Sequence, residues 1–331
     1  MLAAAERLIE AAIDHGRLPG AALGVVDLSG ARAISVCGAA QWDPEEIALT
    51  PEMWFDLASL TKVMVTVPGV LRLVEAGEAD LEDRLGRFLP EAVPPVGRLT
   101  LRQLLTHQAG FEPFIAFQDW SDDPAALRDV LVRHPWALGP PIYSDIGYIL
   151  LGLILERVHS RRLDELPLGE GLAFRPDPAK SVATEDCPWR GAVVRGVVHD
   201  ERAYALGGAA GHAGLFGTVD GVLDFARALL AGEALSPAAL IEMRRPHGDV
   251  WALGWQRKHP GWSGGGLCSA DTLGHTGFTG TGLWIDFGRG TAWTLLTNRV
   301  HPSRERETGI AELRRRVGAA VAGAWRPGRG G

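Results

Sequence analysis

A chain of 331 residues, 46% of them hydrophobic, holds enough apolar material for one large domain or two closely joined ones, which excludes a disordered or fibrous protein. Its formal net charge of -7 and the lack of a long Lys/Arg run exclude the basic stripe that phosphate binding needs, so nucleic acid is not an expected partner. Three cysteines, Cys37, Cys187 and Cys268, are odd in number and far apart, giving neither a disulfide framework nor zinc spacing; no metal or cofactor is expected.

Leu2 to His15 reads as an amphipathic helix stopped by Gly16. Glu6 and Glu10 fall where a signal peptide needs an unbroken apolar run, and no other stretch is long enough to span a bilayer, so a cytoplasmic location without membrane contact is expected. Two apolar runs, Ala21 to Val26 and Ala33 to Cys37, flank Ser29-Gly30 as a β-hairpin. Trp54 to Ala58 is short and extended, and Leu60 to Ala76 repeats apolar residues at helical spacing until Gly77, so Ser59 sits at a strand-to-helix junction. Helix signals follow at Thr100 to Thr106, Pro124 to Val132 and Ile146 to Val158, with Pro-bearing loops between them. After a polar stretch from Pro167 to Pro188, the Gly-rich run Leu206 to Gly217 leads to a helix over Val219 to Ala231 with Thr218 as N-cap. Strands are expected at Trp251 to Gln256, Thr281 to Phe287 and Thr291 to Thr297, the last two joined through Gly288-Arg289-Gly290. A helix from about Thr308 to Ala324 closes the chain, and Pro327 to Gly331 reads as a frayed tail.

This order predicts an α+β fold: an antiparallel sheet flanked by helices, carried by residues 1–76 and 190–331, with an all-helical insert over 77–189 and the site in the cleft between them.

Ser59-Leu60-Thr61-Lys62 places a hydroxyl and an amine three residues apart at a helix start, hence on one face. That suits a nucleophile and its base, provided that burial and the helix N-terminus lower the lysine pKa enough to neutralise it. The chain has only two other lysines, Lys180 and Lys258. A serine before an apolar helix is also an ordinary N-cap. Tyr143-Ser144-Asp145 follows Pro140-Pro141 and precedes a helix, so its phenol can project from a loop, although a tyrosine there also serves for packing. Gly274-His275-Thr276-Gly277 ends a strand in small residues.

In this order the three motifs resemble those of class C β-lactamases, D-alanyl-D-alanine carboxypeptidases and the related β-lactamase-like esterases. The flanks Phe55 to Ser59, Leu104 to Gly110, Tyr143 to Gly152 and Gly208 to Thr218 are similar as well. The resemblance implies Ser59 as acylated nucleophile, Lys62 and Tyr143 as the proton-transfer pair, and the N–H groups of Ser59 and Phe278 as an oxyanion hole. His275, Thr276 and Gly277 would line the strand that binds substrate. Two positions depart from the pattern. Asp145 replaces an asparagine, so a donor to a substrate amide carbonyl is missing; its charge would hold Lys62 protonated, which opposes the base role unless Tyr143 takes it, or would attract a substrate carrying a cation or N–H group, and the sequence leaves open which of Lys62 and Tyr143 is the main base. His275 replaces a lysine, which would make carboxylate binding there pH-dependent.

The expected activity is hydrolysis of a small-molecule ester or amide through an acyl-enzyme, the substrate being an ester, a D-amino-acid amide or a peptidoglycan fragment. A β-lactamase or D-alanyl-D-alanine carboxypeptidase is the alternative, and a binding or regulatory protein on the same fold is a third reading that Asp145 favours. Gly261-Trp262-Ser263-Gly264-Gly265 matches a nucleophile elbow, but Pro260 before it and further glycine after it are not a buried strand and a helix. His199, Asp200, Glu201 and His212 lack metal-ligand spacing, and His212 reads as a loop residue. Arg299, at a strand end, is a possible partner for a carboxylate, though such residues are usually solvated.

Overall fold

A computed structural model describes residues 2–325, so the tail from Pro327 lies outside the described residues. The predicted hairpin forms β1 (Gly20–Asp27) and β2 (Arg32–Gln41), and a two-residue β3 (Ile47–Ala48) lies beside β2. Near the C-terminus β4 (Gln256–Arg257), β5 (Thr272–Thr276), β6 (Gly282–Asp286) and β7 (Thr291–Thr297) complete an antiparallel sheet of order β3-β2-β1-β7-β6-β5-β4. Pairing of β1 with β7 joins the two ends of the chain, Leu23 lying opposite Leu295.

Both faces of this sheet are covered, which is why β1 reads as an apolar run rather than an alternation. On one face Leu23, Val25, Trp284, Trp293 and Leu295 pack under α1 (Ala3–Asp14) and the C-terminal helix. On the other, Ala22, Val26, Leu283, Ile285 and Leu296 meet α2 (Val67–Glu75), α3 (Ile146–His159) and α4 (Val219–Leu230) in one continuous core. The C-terminal helix, α5 (Ile310–Ala324), starts two residues later than expected. Thr218 caps α4 as predicted, accepting from Gly221 N–H at 3.1 Å. Among the described residues no helix is long and apolar enough to cross a membrane.

Three expectations change. Residues 251–256 are not a strand: Gly254, at φ +75°, turns the chain into the core where a Cβ would meet Val67 Cγ2 and Tyr148 Oη, and only Gln256–Arg257 pairs. The segment 77–189 is not all helix: its polar stretch after Pro167 holds only one 3-10 turn, Pro178–Lys180, while Leu172–Ala173 pairs with Phe216–Gly217 and Ala183–Cys187 with Ala192–Arg195. Pro237–Arg244 is a helix that periodicity missed, being eight residues long and apolar on no single side; its start is nonetheless written as Ser236-Pro237, a cap followed by proline at the first helical position.

Candidate active site

The strand Phe55–Asp56 ends in a turn where Ala58 has φ +48°, a strained value for a residue with a Cβ. Asp56 fixes that turn: Oδ1 accepts from Ala58 N–H at 2.8 Å and Oδ2 from His199 N–H at 2.6 Å. Leu57 N–H is held by Leu215 O. Ser59 therefore stands exposed to the cavity at the head of a helix that runs on to Glu75. The first turns of that helix, Lys62–Thr66, are π-helical, with Val67 N–H donating to Lys62 O. A π segment accommodates Pro68, which has no N–H, and aims residues off the regular helical stripe.

Ser59 Oγ accepts from Lys62 Nζ at 2.7 Å and from Tyr143 Oη at 3.1 Å. Three side chains from distant segments thus meet at one oxygen. Tyr143 is seated by ring contacts to His107 at 4.4 Å and Trp251 at 5.9 Å, with the Lys62 ammonium 5.0 Å from its ring centroid. His107 Nδ1 in turn accepts from Ser144 N–H at 3.4 Å, which ties the tyrosine loop to the segment after Leu105.

Lys62 is wholly buried, and its ammonium faces Asp145 Oδ1 at 2.7 Å. Burial by itself would push the lysine down, toward neutrality; the carboxylate of Asp145, and after it Tyr143, outweigh burial and hold Lys62 above its ordinary value. The lysine is therefore held protonated, as the charge of Asp145 leads one to expect, because the helix start and burial are weaker than one carboxylate in contact. Asp145 is the matching case: burial would raise it, but Lys62, then His212 and Arg202, keep it well below the usual carboxylate range. Its Oδ2 accepts from Arg202, which also bonds Asp200 at 3.1 Å, and Asp200 holds His212 Nε2 at 3.0 Å.

The strand β5 runs up to this turn and is bolted to it. Thr279 Oγ1 donates to Asp56 O at 2.7 Å and Thr281 Oγ1 to Leu57 O at 3.1 Å. A Cβ on Gly277 would lie 2.5 Å from Leu57 O, so only glycine permits the approach. The amides around Ser59 and Phe278 are engaged: Ala58 N–H by Asp56, Gly277 N–H by Thr281 O at 2.9 Å. Those of Ser59 and Phe278 make no hydrogen bond among the described residues, the pattern of donors left for a ligand oxygen.

His275 is buried with Nδ1 3.0 Å from Thr276 O, an acceptor, which places the ring proton on Nδ1 and leaves Nε2 without a partner. Burial, then the Lys62 charge, pushes it down to about 3, so it stays neutral where a solvated histidine titrates. The expected pH-dependent carboxylate binding at this position does not follow. The cavity above Ser59 has a volume of about 560 Å³ and is lined also by Tyr143, Asp145, His275, Thr276, Gly277 and Phe278.

All eight residues singled out in the sequence line this one cavity except Lys62, which lies beneath it. Sequence reasoning missed Arg202, Asp200 and His107 as parts of the site. The first two are brought to Asp145 by the short helix Glu201–Ala205, and no local pattern announces a contact 57 residues away. Asp200 and His212 were considered for a metal. Together with Asp145 they do present ligand atoms within 4.8 Å of one another, but Arg202 and Lys62 already meet both carboxylates as cations. Arg299 reaches the cavity rim with its Nε donating to Phe278 O at 2.8 Å, and Ser263 is a turn residue accepting from Trp284 Nε1 at 3.2 Å.

Comparison with known proteins is consistent across the chain. A family model described as Beta-lactamase matches residues 5–316. A putative D-alanyl-D-alanine carboxypeptidase of Salmonella agona is 29% identical over 310 residues, covering 77% of this chain and 71% of that protein. An N-acetylmuramyl-L-alanine amidase of Bacillus subtilis is 28% identical over 302 residues, covering 75% and 68%. The crystal structure of a class C beta lactamase from Rhodobacter sphaeroides superposes with a TM-score of 0.76 over 97% of this chain and 99% of that one, at 19% identity, a likeness of fold.

Proposed function

This chain belongs to the beta-lactamase family, and from that premise we propose that it is a serine hydrolase that cleaves an ester or amide through an acyl-enzyme on Ser59. One observation carries the reading: the Ser59 hydroxyl accepts from both Lys62 and Tyr143 beside two uncommitted backbone donors. In the reacting form the hydrogen bond between Ser59 and Tyr143 reverses: the Ser59 hydroxyl donates to Tyr143 as phenolate, which takes the serine proton while Ser59 Oγ attacks the carbonyl carbon; the Ser59 and Phe278 amides bind the oxyanion, and Tyr143 returns the proton to the leaving group. Lys62, a cation paired with Asp145, stabilises the phenolate and is not itself the base. Water then attacks the acyl-enzyme by the same proton path.

The names of the curated relatives favour a peptide-like amide, of the carboxypeptidase or muropeptide-amidase kind, over a simple ester. The division into a sheet-bearing part, 1–76 and 190–331, and an insert over 77–189 belongs to this proposal, with substrate entering between them. The test is a hydrolysis screen of p-nitrophenyl esters, nitrocefin and D-alanyl peptides, alongside labelling by a fluorophosphonate. Turnover and labelling by the wild type and neither by Ser59→Ala are expected; labelling that survives Ser59→Ala overturns the reading.

A further inference from the structure

Between β4 and β5 the chain makes a loop, 258–271, that contains Gly261-Trp262-Ser263-Gly264-Gly265, a stretch the Ser59 chemistry does not use. This loop lies directly on α5, backbone against backbone: a Cβ on Gly265 would stand 2.6 Å from both Arg315 O and Ala319 N, and one on Gly318 would collide with Gly264 O. Trp262 is pinned under the loop, its Nε1 donating to Gly265 O at 2.7 Å. Where glycines stand in place of side chains the loop leaves a hollow of about 600 Å³, walled by Trp262, Ala270 and Ala319 and rimmed by Lys258, Arg315 and Arg316. It shares no lining residue with the cavity above Ser59, although α5 borders both, with Ile310 and Arg314 at the first.

The lining says what would fill it. In a chain of net charge -7, no carboxylate lines this hollow. Arg315 turns to Glu312, three residues before it, but Lys258 and Arg316 form no ion pair among the described residues. The Lys258 ammonium is fixed by donating to Gly266 O at 2.8 Å and Cys268 O at 2.6 Å, which leaves its third N–H for a ligand. Fixed cations above apolar walls suit an anion that carries a hydrocarbon body. A bilayer surface would need large apolar side chains that protrude; in this loop only Leu267 is such a residue, and it does not line the hollow. We propose that this hollow is a binding site for a free amphipathic anion, a single hydrocarbon tail of about a dozen carbons ending in a carboxylate or phosphate. The site stands apart from the Ser59 chemistry and does not depend on it.

Titration calorimetry on the full chain tests this, with dodecanoate and dodecyl phosphate kept below micelle formation. At least one of them should bind at a single site with a Kd of about 10 µM to 1 mM. Dodecyltrimethylammonium, the same tail with a cationic head, should bind at least about 10-fold more weakly. Two variants locate the site. A Cβ on Gly266 meets nothing within 4 Å, so Gly266→Leu should fill the hollow and remove binding while thermal melting stays cooperative. Arg316 is exposed and unpaired among the described residues, so Arg316→Glu should fold as the wild type does and weaken binding at least about 10-fold. Affinity that survives either variant overturns the proposal, since the ligand then sits elsewhere or its charge is not read. Equal affinity for the cationic head overturns it too, as does the lack of binding by both anions up to about 1 mM. Binding to anionic phospholipid vesicles without binding to either single-tailed anion would make this a membrane surface and overturn it likewise.

Discussion

Lys62 has three partners, and their unequal strength decides its role: the Ser59 hydroxyl at 2.7 Å, the Asp145 carboxylate at 2.7 Å and the His212 carbonyl at 3.4 Å. Removing the carboxylate in Asp145→Asn leaves burial opposed chiefly by Tyr143, so the lysine should lose its proton at lower pH. The alkaline limb of the kcat/KM profile, where loss of that charge ends activity, should then move to lower pH; a limb that stays put or moves up would show that Asp145 does not govern Lys62. Ser59→Ala should lower kcat by roughly 10⁴- to 10⁶-fold. It should not carry the stability loss of a missing N-cap, because Ser59 Oγ bonds Lys62 and Tyr143 rather than helix amides; urea unfolding should give a change within about 0.5 kcal/mol, below a typical cap. The identities of Ser59, Lys62 and Tyr143 as a cluster were legible in the sequence because each sits in a motif with recognisable flanks. That Asp145 would hold Lys62 protonated was legible from the carboxylate in the second motif; the direct contact between residues 62 and 145 that outweighs burial was not, since it depends on tertiary packing.

The long apolar runs of β1 and β7 and the capped start of α4 were readable because burial on both faces, or a Thr followed by an amphipathic helix, leaves a direct mark on composition. The turn at Gly254 and the π segment at Lys62–Thr66 were not, for each is imposed by what packs against it. The contact between β5 and the Ser59 turn is also tertiary, and it is sensitive. Gly277→Ala would bring a methyl within 2.1 Å of Thr281 Oγ1 and 2.5 Å of Leu57 O, so the strand must move off the turn that carries Ser59. A displacement of this order at an oxyanion donor should lower kcat about 100-fold with the melting profile still cooperative. Activity within a few-fold of wild type would show that β5 does not form the oxyanion site.

The folded protein keeps two histidines neutral inside one apolar region, His107 and His275, each pushed down to about 3 chiefly by burial and then by Lys62. Unfolded, both titrate near 6.5, so below that pH the unfolded chain binds protons that the native one refuses. Stability from these groups is complete above about 6.5 and is lost as pH falls toward 3, at up to about 1.4 kcal/mol per pH unit for each ring. Urea midpoints measured from pH 7 to pH 4 should fall accordingly, and His107→Gln should flatten the decline even if it lowers the value at pH 7; a slope unchanged by the substitution would exclude His107 as a source. At the margins of the large sheet, β3 and β4 are each two residues long. Because β3 reaches only Ala39 and Gln41 of β2, the outer backbone edge of Arg32–Gly38 has no ladder partner among the described residues, and it is at this border that a strand from another molecule would add if the protein self-associated.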